Sequence, residues 1–329
     1  MNRRVAIAAS LLGGCGRYAD FGLPPPGGGP EVRWHLESEP DPVMDRGAAG
    51  EWDSVDTLNP SVLERDGVLW NFYSGYDGRT WHTGVATSRD GRAWTRLGRV
   101  LSPTGWEGGY IAANGSALWD GDRFRYWFQA GSPPRVALAT SPDGRNWTRH
   151  GEPVLPVGPR GSWDELAAAD PYVIRHGDKL YMAYLGQDRA GRQRLGLARS
   201  RDGLVWEKSR GNPILDLGAE GMFDENGLGE PAIWRAHGRW WMLYTGRDRR
   251  ELRRVGLAYS RDGVMWRRLT ESHVLRPPPW SSKVVCDTTV LVSPDGRTVR
   301  VWFGGGDVAH PAENIHGKIG YATLIMEPQ

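Results

Sequence analysis

Short apolar runs alternate with turn residues along most of the chain, and one polar turn recurs at a nearly constant spacing. The motif is Ser-x-Asp-Gly followed by Trp three residues after the Gly. Its aspartates stand at positions 90, 143, 202 and 262, and a fifth copy, Ser293–Gly296, lacks the Trp. Asp-Gly between β-prone runs favours a hairpin, because Gly adopts positive φ without steric cost. Each copy is therefore predicted to be a hairpin turn in a repeated sheet.

The residues between successive turns divide into four predicted strands. In the fourth unit these are 230–234, 240–244, 255–260 and a last strand running from Trp266 to about residue 275. Because the same parts recur five times, the sequence predicts an all-β fold. The expected architecture is a five-bladed β-propeller with four-stranded antiparallel blades.

The fifth unit lacks an outer strand, since the chain runs out soon after Ala322-Thr323-Leu324. Residues 31–36 followed by Pro42-Val43-Met44 repeat the pattern of Trp206 followed by Pro213-Ile214-Leu215. We therefore expect the N-terminal segment to pair with the C-terminal strand and close the ring in the last blade, which leaves no open edge. The predicted propeller spans residues 31–329.

One polar residue stands near the start of each predicted innermost strand, seven residues after an aromatic residue (eight in the second unit). Innermost strands of a propeller line its channel, where polar side chains need a reason. Carboxyl groups held close together push each other's pKa apart, so that one can donate a proton while another stays ionised. The five residues are Asn59, Asn114, Asp170, Glu230 and Asp287.

This pattern resembles the five-bladed glycoside hydrolase superfamily that includes arabinanases, β-xylosidases and invertase-like enzymes. The resemblance covers residues 31–327 and rests on the five repeats, on Ala169-Asp170-Pro171-Tyr172-Val173 and on Gly229-Glu230-Pro231-Ala232. It implies an enzyme that hydrolyses poly- or oligosaccharides. By position, Glu230 would be the general acid and Asp170 the carboxylate that tunes its pKa and orients the sugar.

The first unit departs from the family, which has Asp-Pro where this chain has Asn59-Pro60. An amide cannot take a proton from water, so the base would be Asp56, Asp53 or Asp287, at a spacing from the acid that admits water. Four interpretations stay open. They are a hydrolase with a relocated base, a phosphorylase in which phosphate attacks, a carbohydrate-binding protein without catalysis, and an envelope scaffold that contacts only proteins.

The loops after the second strands are expected on the same face as the polar ring. Trp81 is the sugar-stacking candidate there, and Arg189, Arg247 and His316 are further substrate-binding candidates beside Asn59 and Asn114. Arg forks match carboxylate, phosphate or sulfate, which suggests an anionic glycan or phosphate. The alternative interpretation is solvated charge on exposed loops.

The N-terminus carries Arg3, Arg4 and a short apolar run that ends in Leu12-Gly13-Gly14-Cys15. The run is too short to span a membrane and is typical of a secretory signal, residues 1–15. It resembles a bacterial lipobox with Cys15 as the lipidated residue, the alternative being a chance Cys. Residues 16–30 are predicted to form an extended Pro/Gly tether that does not pack. These features predict an anchored envelope protein, in the outer membrane or periplasm.

Composition narrows the partners and cofactors. The 329-residue chain is 24% charged with a net charge of +2 and no dense Lys/Arg block, which argues against nucleic acid as a partner. No Cys/His cluster has zinc spacing, and no cofactor is predicted, with Ca²⁺ in a carboxylate-lined channel as the alternative. We expect a monomer in which Cys286 is a buried free thiol.

Overall fold

The computed structural model describes residues 17–27, 32–269 and 273–328. Within these ranges the chain is all β, with two single-turn 3-10 helices at Gly105–Glu107 and Pro279–Ser281. No helix in the described ranges has the length and apolarity needed to cross a membrane. The predicted all-β class is confirmed.

Two short strands precede the repeats, and nineteen strands follow in groups. The first two are β1 (Arg17–Ala19) and β2 (Val32–Ser38). The first group is β3 (Asp56–Arg65), β4 (Val68–Tyr76), β5 (Trp81–Ser88) and β6 (Thr95–Leu101). The second is β7 (Ala112–Trp119), β8 (Phe124–Ala130), β9 (Arg135–Ser141) and β10 (Thr148–Arg149). The third is β11 (Ala167–His176), β12 (Lys179–Gln187), β13 (Gln193–Ser200) and β14 (Glu207–Ser209).

The later groups repeat the arrangement. The fourth is β15 (Gly227–Ala236), β16 (Arg239–Arg247), β17 (Arg253–Ser260) and β18 (Trp266–Arg268). The fifth is β19 (Val284–Val292), β20 (Thr298–Gly306) and β21 (Lys318–Pro328). Successive strands within each group pair antiparallel, so the predicted four-stranded antiparallel sheets are confirmed.

The two ends of the chain meet in the fifth group. There β2 pairs antiparallel with β21, from Val32 opposite Pro328 to Ser38 opposite Ala322. The first strands also contact one another in sequence, β3 with β7, β7 with β11, β11 with β15, β15 with β19 and β19 with β3. Each group thus presents its first strand to a common centre.

The Ser-x-Asp-Gly turns join the third and fourth strands, as predicted, and each is fixed by its own side chains. In the third group Ser200 Oγ accepts the N–H of Gly203, Asp202 Oδ1 accepts the next two N–H groups, and Trp206 Nε1 donates to Gly203 O. The other three complete copies repeat these bonds. The motif is therefore a structural element of the hairpin.

Residues 17–27 pack against the third and fourth groups, so the prediction of a tether that does not pack is wrong for this stretch. β1 lies parallel to β14, with Arg17 opposite Glu207. The Leu23 side chain is buried, and its N–H donates to Asp262 O at 2.6 Å. Trp240 Nε1 in turn donates to Pro24 O. The prolines are extended, but they run along a surface that satisfies their carbonyls.

Leu23 supplies a side chain that the third group lacks. Trp302 and Trp127 each donate an indole hydrogen bond to the turn glycine of the next group, at 2.7 and 2.8 Å. At the same register the third group has Ala183, opposite Leu197 as Trp127 is opposite Leu138. Leu23 occupies the space beneath Gly263 and packs in one cluster with Ala183.

Candidate functional site

The five polar residues predicted to form a ring share one unusual backbone conformation. Their φ angles are 48° at Asn59, 50° at Asn114, 47° at Asp170, 43° at Glu230 and 55° at Asp287. Each lies at a register shift between the first and second strands of its group. Positive φ is uncommon outside glycine and costs free energy, so its repetition at equivalent positions marks a bulge maintained for its side chain.

All five residues line one cavity of about 250 Å³. The side chains around and above them come from every group and include Trp81, Tyr110, Gln129, Gln187, Gln193, Arg247, Arg253 and Pro311. A smaller cavity of about 20 Å³ lies against the same five residues, together with Thr288 and Thr289. That volume suits one water molecule. The repeat phase therefore predicted which polar side chains share a cavity.

The carboxyl group of Asp170 has a strongly raised pKa. Its side chain is buried, and Oδ1 accepts from Asn114 Nδ2 at 2.6 Å while Oδ2 accepts the Glu230 N–H at 3.4 Å. Burial and, second, the charge of Glu230 raise the pKa of Asp170 to about 8. Asp170 therefore keeps its proton at neutral pH.

Asp287 occupies the equivalent place in the fifth group. Its Oδ2 accepts the Asn59 N–H at 3.4 Å and the Cys286 thiol at 3.1 Å. Burial and the charge of Glu230 raise the pKa of Asp287 well above its usual range. Two aspartic acids with raised pKa values thus share one cavity with Glu230.

Glu230 itself has a carboxylate oxygen free for a ligand. Glu230 lines both cavities, and its Oε2 is buried and accepts no hydrogen bond from the residues that the structure describes. A buried oxygen without a partner costs free energy unless a bound group satisfies it. Glu230 is therefore the carboxyl group best placed to meet a ligand directly.

Asp56 lies in a different environment from the one predicted for a base. The side chain is fully buried, outside the cavity lining, and accepts the N–H groups of Asn314, Ile315 and Gly317 at 2.6, 3.1 and 2.7 Å. These bonds occupy its lone pairs, so Asp56 holds a loop and is not placed to activate water. Asp53 is likewise buried and paired, with Tyr73 and Arg96.

The predicted substrate-binding residues divide between the cavity and the outer surface. Trp81 lines the cavity but is buried, with its ring stacked on Tyr76 at 4.8 Å. Arg247 also lines the cavity and binds Glu251 and Gln193. Arg189 and His316 lie outside the lining, where they pair with Glu165 and Asp307.

Most of the rim arginines are neutralised by neighbouring carboxylates. Asp188 pairs with Arg192 and Arg194, and Asp248 pairs with Arg250. Arg249 pairs with Glu220. The rim as a whole therefore fits the interpretation of solvated charge, and among the described residues Arg247, itself paired with Glu251, and Arg253 are the cations that line the cavity.

Arg253 and Gln193 are cavity residues that sequence reasoning did not select. Both are the first residue of a third strand, and Trp81 occupies the same position in the first group. The second-strand residues opposite Gln193 and Arg253, Gln187 and Arg247, line the cavity as well. The repeat pattern could have identified them, because the first residue of the third strand lines the cavity in three of the five groups.

Metal and cysteine predictions have separate outcomes. In the described ranges no group of three or more His, Cys, Asp or Glu side chains is arranged to hold a metal ion. Cys286 is a buried free thiol, as predicted, and burial raises its pKa. Cys15 and the signal segment lie outside the described residues.

Comparison with known proteins identifies the fold. Residues 68–223 match the sequence model of the glycosyl hydrolases family 32 N-terminal domain. The chain has the propeller fold of the glycoside hydrolases. Similar structures include a β-1,2-mannobiose phosphorylase from Listeria innocua solved with β-1,2-mannobiose, with a TM-score of 0.69 and 14% identity over 89% of this chain and 97% of that one.

Two further comparisons extend the range of relatives of this propeller. A family 117 glycoside hydrolase from Zobellia galactanivorans superposes with a TM-score of 0.64 and 17% identity, over 89% of this chain and 90% of that one. An uncharacterized protein of Mycobacterium tuberculosis is 27% identical over 230 residues, which are 64% of this chain and 75% of the relative. Structures with this fold therefore include both hydrolases and a phosphorylase.

Proposed function

We propose that this protein cleaves glycosidic bonds in a poly- or oligosaccharide. The observation that carries the proposal is the set of three carboxyl groups, Asp170, Glu230 and Asp287, on equivalent bulges around one cavity. Burial and the charge of Glu230 raise the pKa values of Asp170 and Asp287, and Asp170, with a pKa of about 8, keeps its proton at neutral pH. A neutral acid beside an ionised carboxylate is the combination that glycoside cleavage requires.

In the proposed reaction Asp170 donates its proton to the glycosidic oxygen. The bond from the anomeric carbon to that oxygen breaks and its electron pair leaves with the oxygen. The oxygen of a water molecule bonds to the anomeric carbon, and Glu230 takes the proton that this water loses; proton exchange with solvent then restores both carboxyl groups. These roles reverse the ones that the family resemblance implies for Asp170 and Glu230. The reversal is supported by the raised pKa of Asp170 and by the free Oε2 of Glu230.

Asp170→Asn and Glu230→Gln test the roles through leaving-group dependence. If Asp170 is the acid, Asp170→Asn should lose about 100-fold or more on natural glycans but much less on aryl glycosides whose leaving group needs no proton. Glu230→Gln should lose activity on both. The opposite pattern would return the acid role to Glu230. The substrates to screen are mannosides, arabinosides, xylosides and fructosides.

A phosphorylase is the second candidate, favoured by Asn59 and by two cavity arginines. Attack by phosphate needs no carboxylate base at the first-group position that Asn59 occupies. Arg247 Nε is buried with no hydrogen-bond partner in the described part of the chain, and Arg253 faces the same cavity. Sugar 1-phosphate formed only with inorganic phosphate would establish this candidate, and free sugar formed without phosphate would exclude it.

A non-catalytic protein is the outcome if neither water nor phosphate supports cleavage. Glycan binding without turnover would then indicate a carbohydrate-binding propeller. The absence of binding to any glycan would favour a scaffold that contacts proteins.

We also propose the finer architecture and the location. The five groups are interpreted as five blades of one ring, closed where β2 joins β21, which is supported by the mutual contacts of the first strands. Arg3, Arg4 and Leu12-Gly13-Gly14-Cys15 support lipidation of Cys15 and an envelope location. Incorporation of labelled palmitate that is lost in Cys15→Ala would establish the anchor, and equal labelling of that variant would exclude it.

A further inference from the structure

We infer that the cavity is closed on one side and receives the end of a glycan chain, so that the protein acts on terminal units and not on internal linkages. The inference rests on the proposed function and specifies its mode of action. It depends on two loops that meet in front of the first group, namely the segment 102–111 before β7 and the segment 307–317 between β20 and β21.

The two loops are joined by a short hydrogen bond. Tyr110 Oη donates to Glu313 Oε2 at 2.6 Å, although the residues are 203 positions apart. Tyr110 and the neighbouring Pro311 and Ala312 line the cavity from these loops. A charge-assisted bond of this length fixes the contact. The wall therefore runs without interruption from the fifth group across the first to the second.

The segment 307–317 is held by further contacts besides the hydrogen bond between Tyr110 and Glu313. Asp56 accepts three of its backbone N–H groups, and Ile315 is fully buried. From the fourth group, Arg253 donates to the carbonyls of His310 and Pro311. These contacts come from the first and fourth groups, and those of Asp56 explain why a carboxylate is buried at that position. The wall is a fixed part of the cavity.

The other loop is anchored to the first group. Trp81 N–H donates to Tyr110 O at 2.8 Å, and Ile111 forms a bridge with Trp81. Behind this contact the rings of Trp81 and Tyr76 stack. These contacts hold the segment 102–111 against the first group at the edge of the cavity.

The opposite side of the cavity is polar and is bordered by shorter loops than the segment 307–317. The hairpins between β12 and β13 and between β16 and β17 end in tight turns, in which Asp188 and Asp248 accept the backbone N–H groups of their own loops. Gln187, Gln193 and Arg247 present amide and guanidinium groups there. A glycan whose end lies against the wall would extend over these residues.

The test uses linear oligosaccharides labelled at one end, drawn from β-1,2-mannan, arabinan, xylan and fructan. Wild type should shorten them one terminal unit at a time, giving a single small product at early times. Glu313→Ala and Tyr110→Phe remove the bond between the loops and should add internal cuts to the product pattern. Glu220→Ala, which removes an exposed acid paired with Arg249, is the matched control and should leave the pattern unchanged.

The possible results separate a failure of the inference from a failure of the proposed function. Internal cuts by wild type at early times overturn the inference and leave the proposed function standing. If wild type binds glycans without cleaving them, blocking the chain end should abolish binding, and binding of end-blocked oligosaccharides would overturn the inference. Neither cleavage nor binding of any oligosaccharide would overturn the proposed function and, with it, the inference.

Discussion

At the residue scale, the five bulges share one backbone conformation, but their side chains differ in chemistry from group to group. The same left-handed position holds amides in the first two groups and acids in the other three. Both asparagines donate a hydrogen bond to an acid. Asn114 donates through its side chain to Asp170, and Asn59 donates through its backbone N–H to Asp287. The acidic groups are thus concentrated on one side of the cavity, where burial raises the pKa values of Asp170 and Asp287.

The raised pKa of Asp170 predicts a stability change for Asp170→Asn. The pKa is about 8 in the folded protein and 3.8 in an unperturbed Asp, so the unfolded chain loses this proton at lower pH. Wild-type stability should therefore fall as pH rises from about 4 to 8. Asp170→Asn avoids this loss, and its Tm should exceed that of wild type by roughly 3–8 °C at pH 8.

The matching control is Asp66→Asn in an exposed turn, which should show no growing difference. Thermal unfolding at pH 5, 6, 7 and 8 measures both variants. A constant offset between Asp170→Asn and wild type across this range would contradict the raised pKa.

The same group predicts the alkaline limb of activity. If protonated Asp170 is the proton donor, kcat/KM should fall above about pH 8 as the carboxyl group ionises. The limb should disappear in Asp170→Asn measured on an aryl glycoside with a good leaving group. An unchanged limb in that variant would assign the ionisation to another group.

At the element scale, a buried acidic residue at the start of each of the first four groups forms an ion pair with the outer strand of that group. Asp53, Glu107, Asp164 and Asp224 follow the leading aromatic residues of the first four groups and pair with Arg96, Arg149, Lys208 and Arg268. Three of them also accept a tyrosine hydroxyl hydrogen bond at 3.0 Å. These pairs fasten fourth strands that are only two or three residues long in the second, third and fourth groups.

Lys208→Met should reveal the strength of this connection. Lys208 and Asp164 are both almost inaccessible to solvent, so the substitution leaves a buried carboxylate without its cation. The free energy of unfolding should fall by about 3–5 kcal/mol, as for other broken buried pairs. Arg189→Met breaks the exposed pair with Glu165 and should cost less than about 1 kcal/mol. Denaturant unfolding compares the two, and equal losses would contradict the difference in burial.

The sequence predicted those features that repeat and missed those that depend on distant segments. The phase of the Asp-Gly turns located all five ring positions because the period carries register information. Asp56 was misread because its partners lie about 260 residues away, in a loop that has no counterpart in the other repeats. Arg253 was missed because its position had been treated as part of a loop and not as the first residue of a strand.

At the scale of the whole molecule, the N-terminal segment is a structural part of the propeller. The Pro/Gly composition of this segment predicted a tether. Composition shows how stiff or flexible a chain is, but it does not show whether a neighbouring surface binds the chain. The third group lacks a large side chain at Ala183, and Leu23 compensates for it from residues outside the repeats. This complementarity cannot be found in either segment alone.

Leu23→Ala should therefore destabilise the propeller and loosen one hairpin. Truncation of a buried leucine costs about 2–5 kcal/mol, and the cavity would lie beneath Gly263. Hydrogen exchange should accelerate in residues 260–266, and Tm should fall. Pro25→Ala, at an exposed position in the same segment, is the control. Unchanged exchange in the hairpin would show that the segment contributes nothing to it.

The pairing of β2 with β21 also sets the order in which the protein can be completed. β2, at residues 32–38, has its partner at residues 322–328, so nearly 300 intervening residues are synthesised before the two strands can pair. The segment before β2 meets its partners earlier, since Arg17–Ala19 pairs with Glu207–Ser209 and Leu23 lies beneath Gly263. The sheet of the fifth group therefore gains its fourth strand only after β21 has been synthesised, although that strand comes from the N-terminal part of the chain.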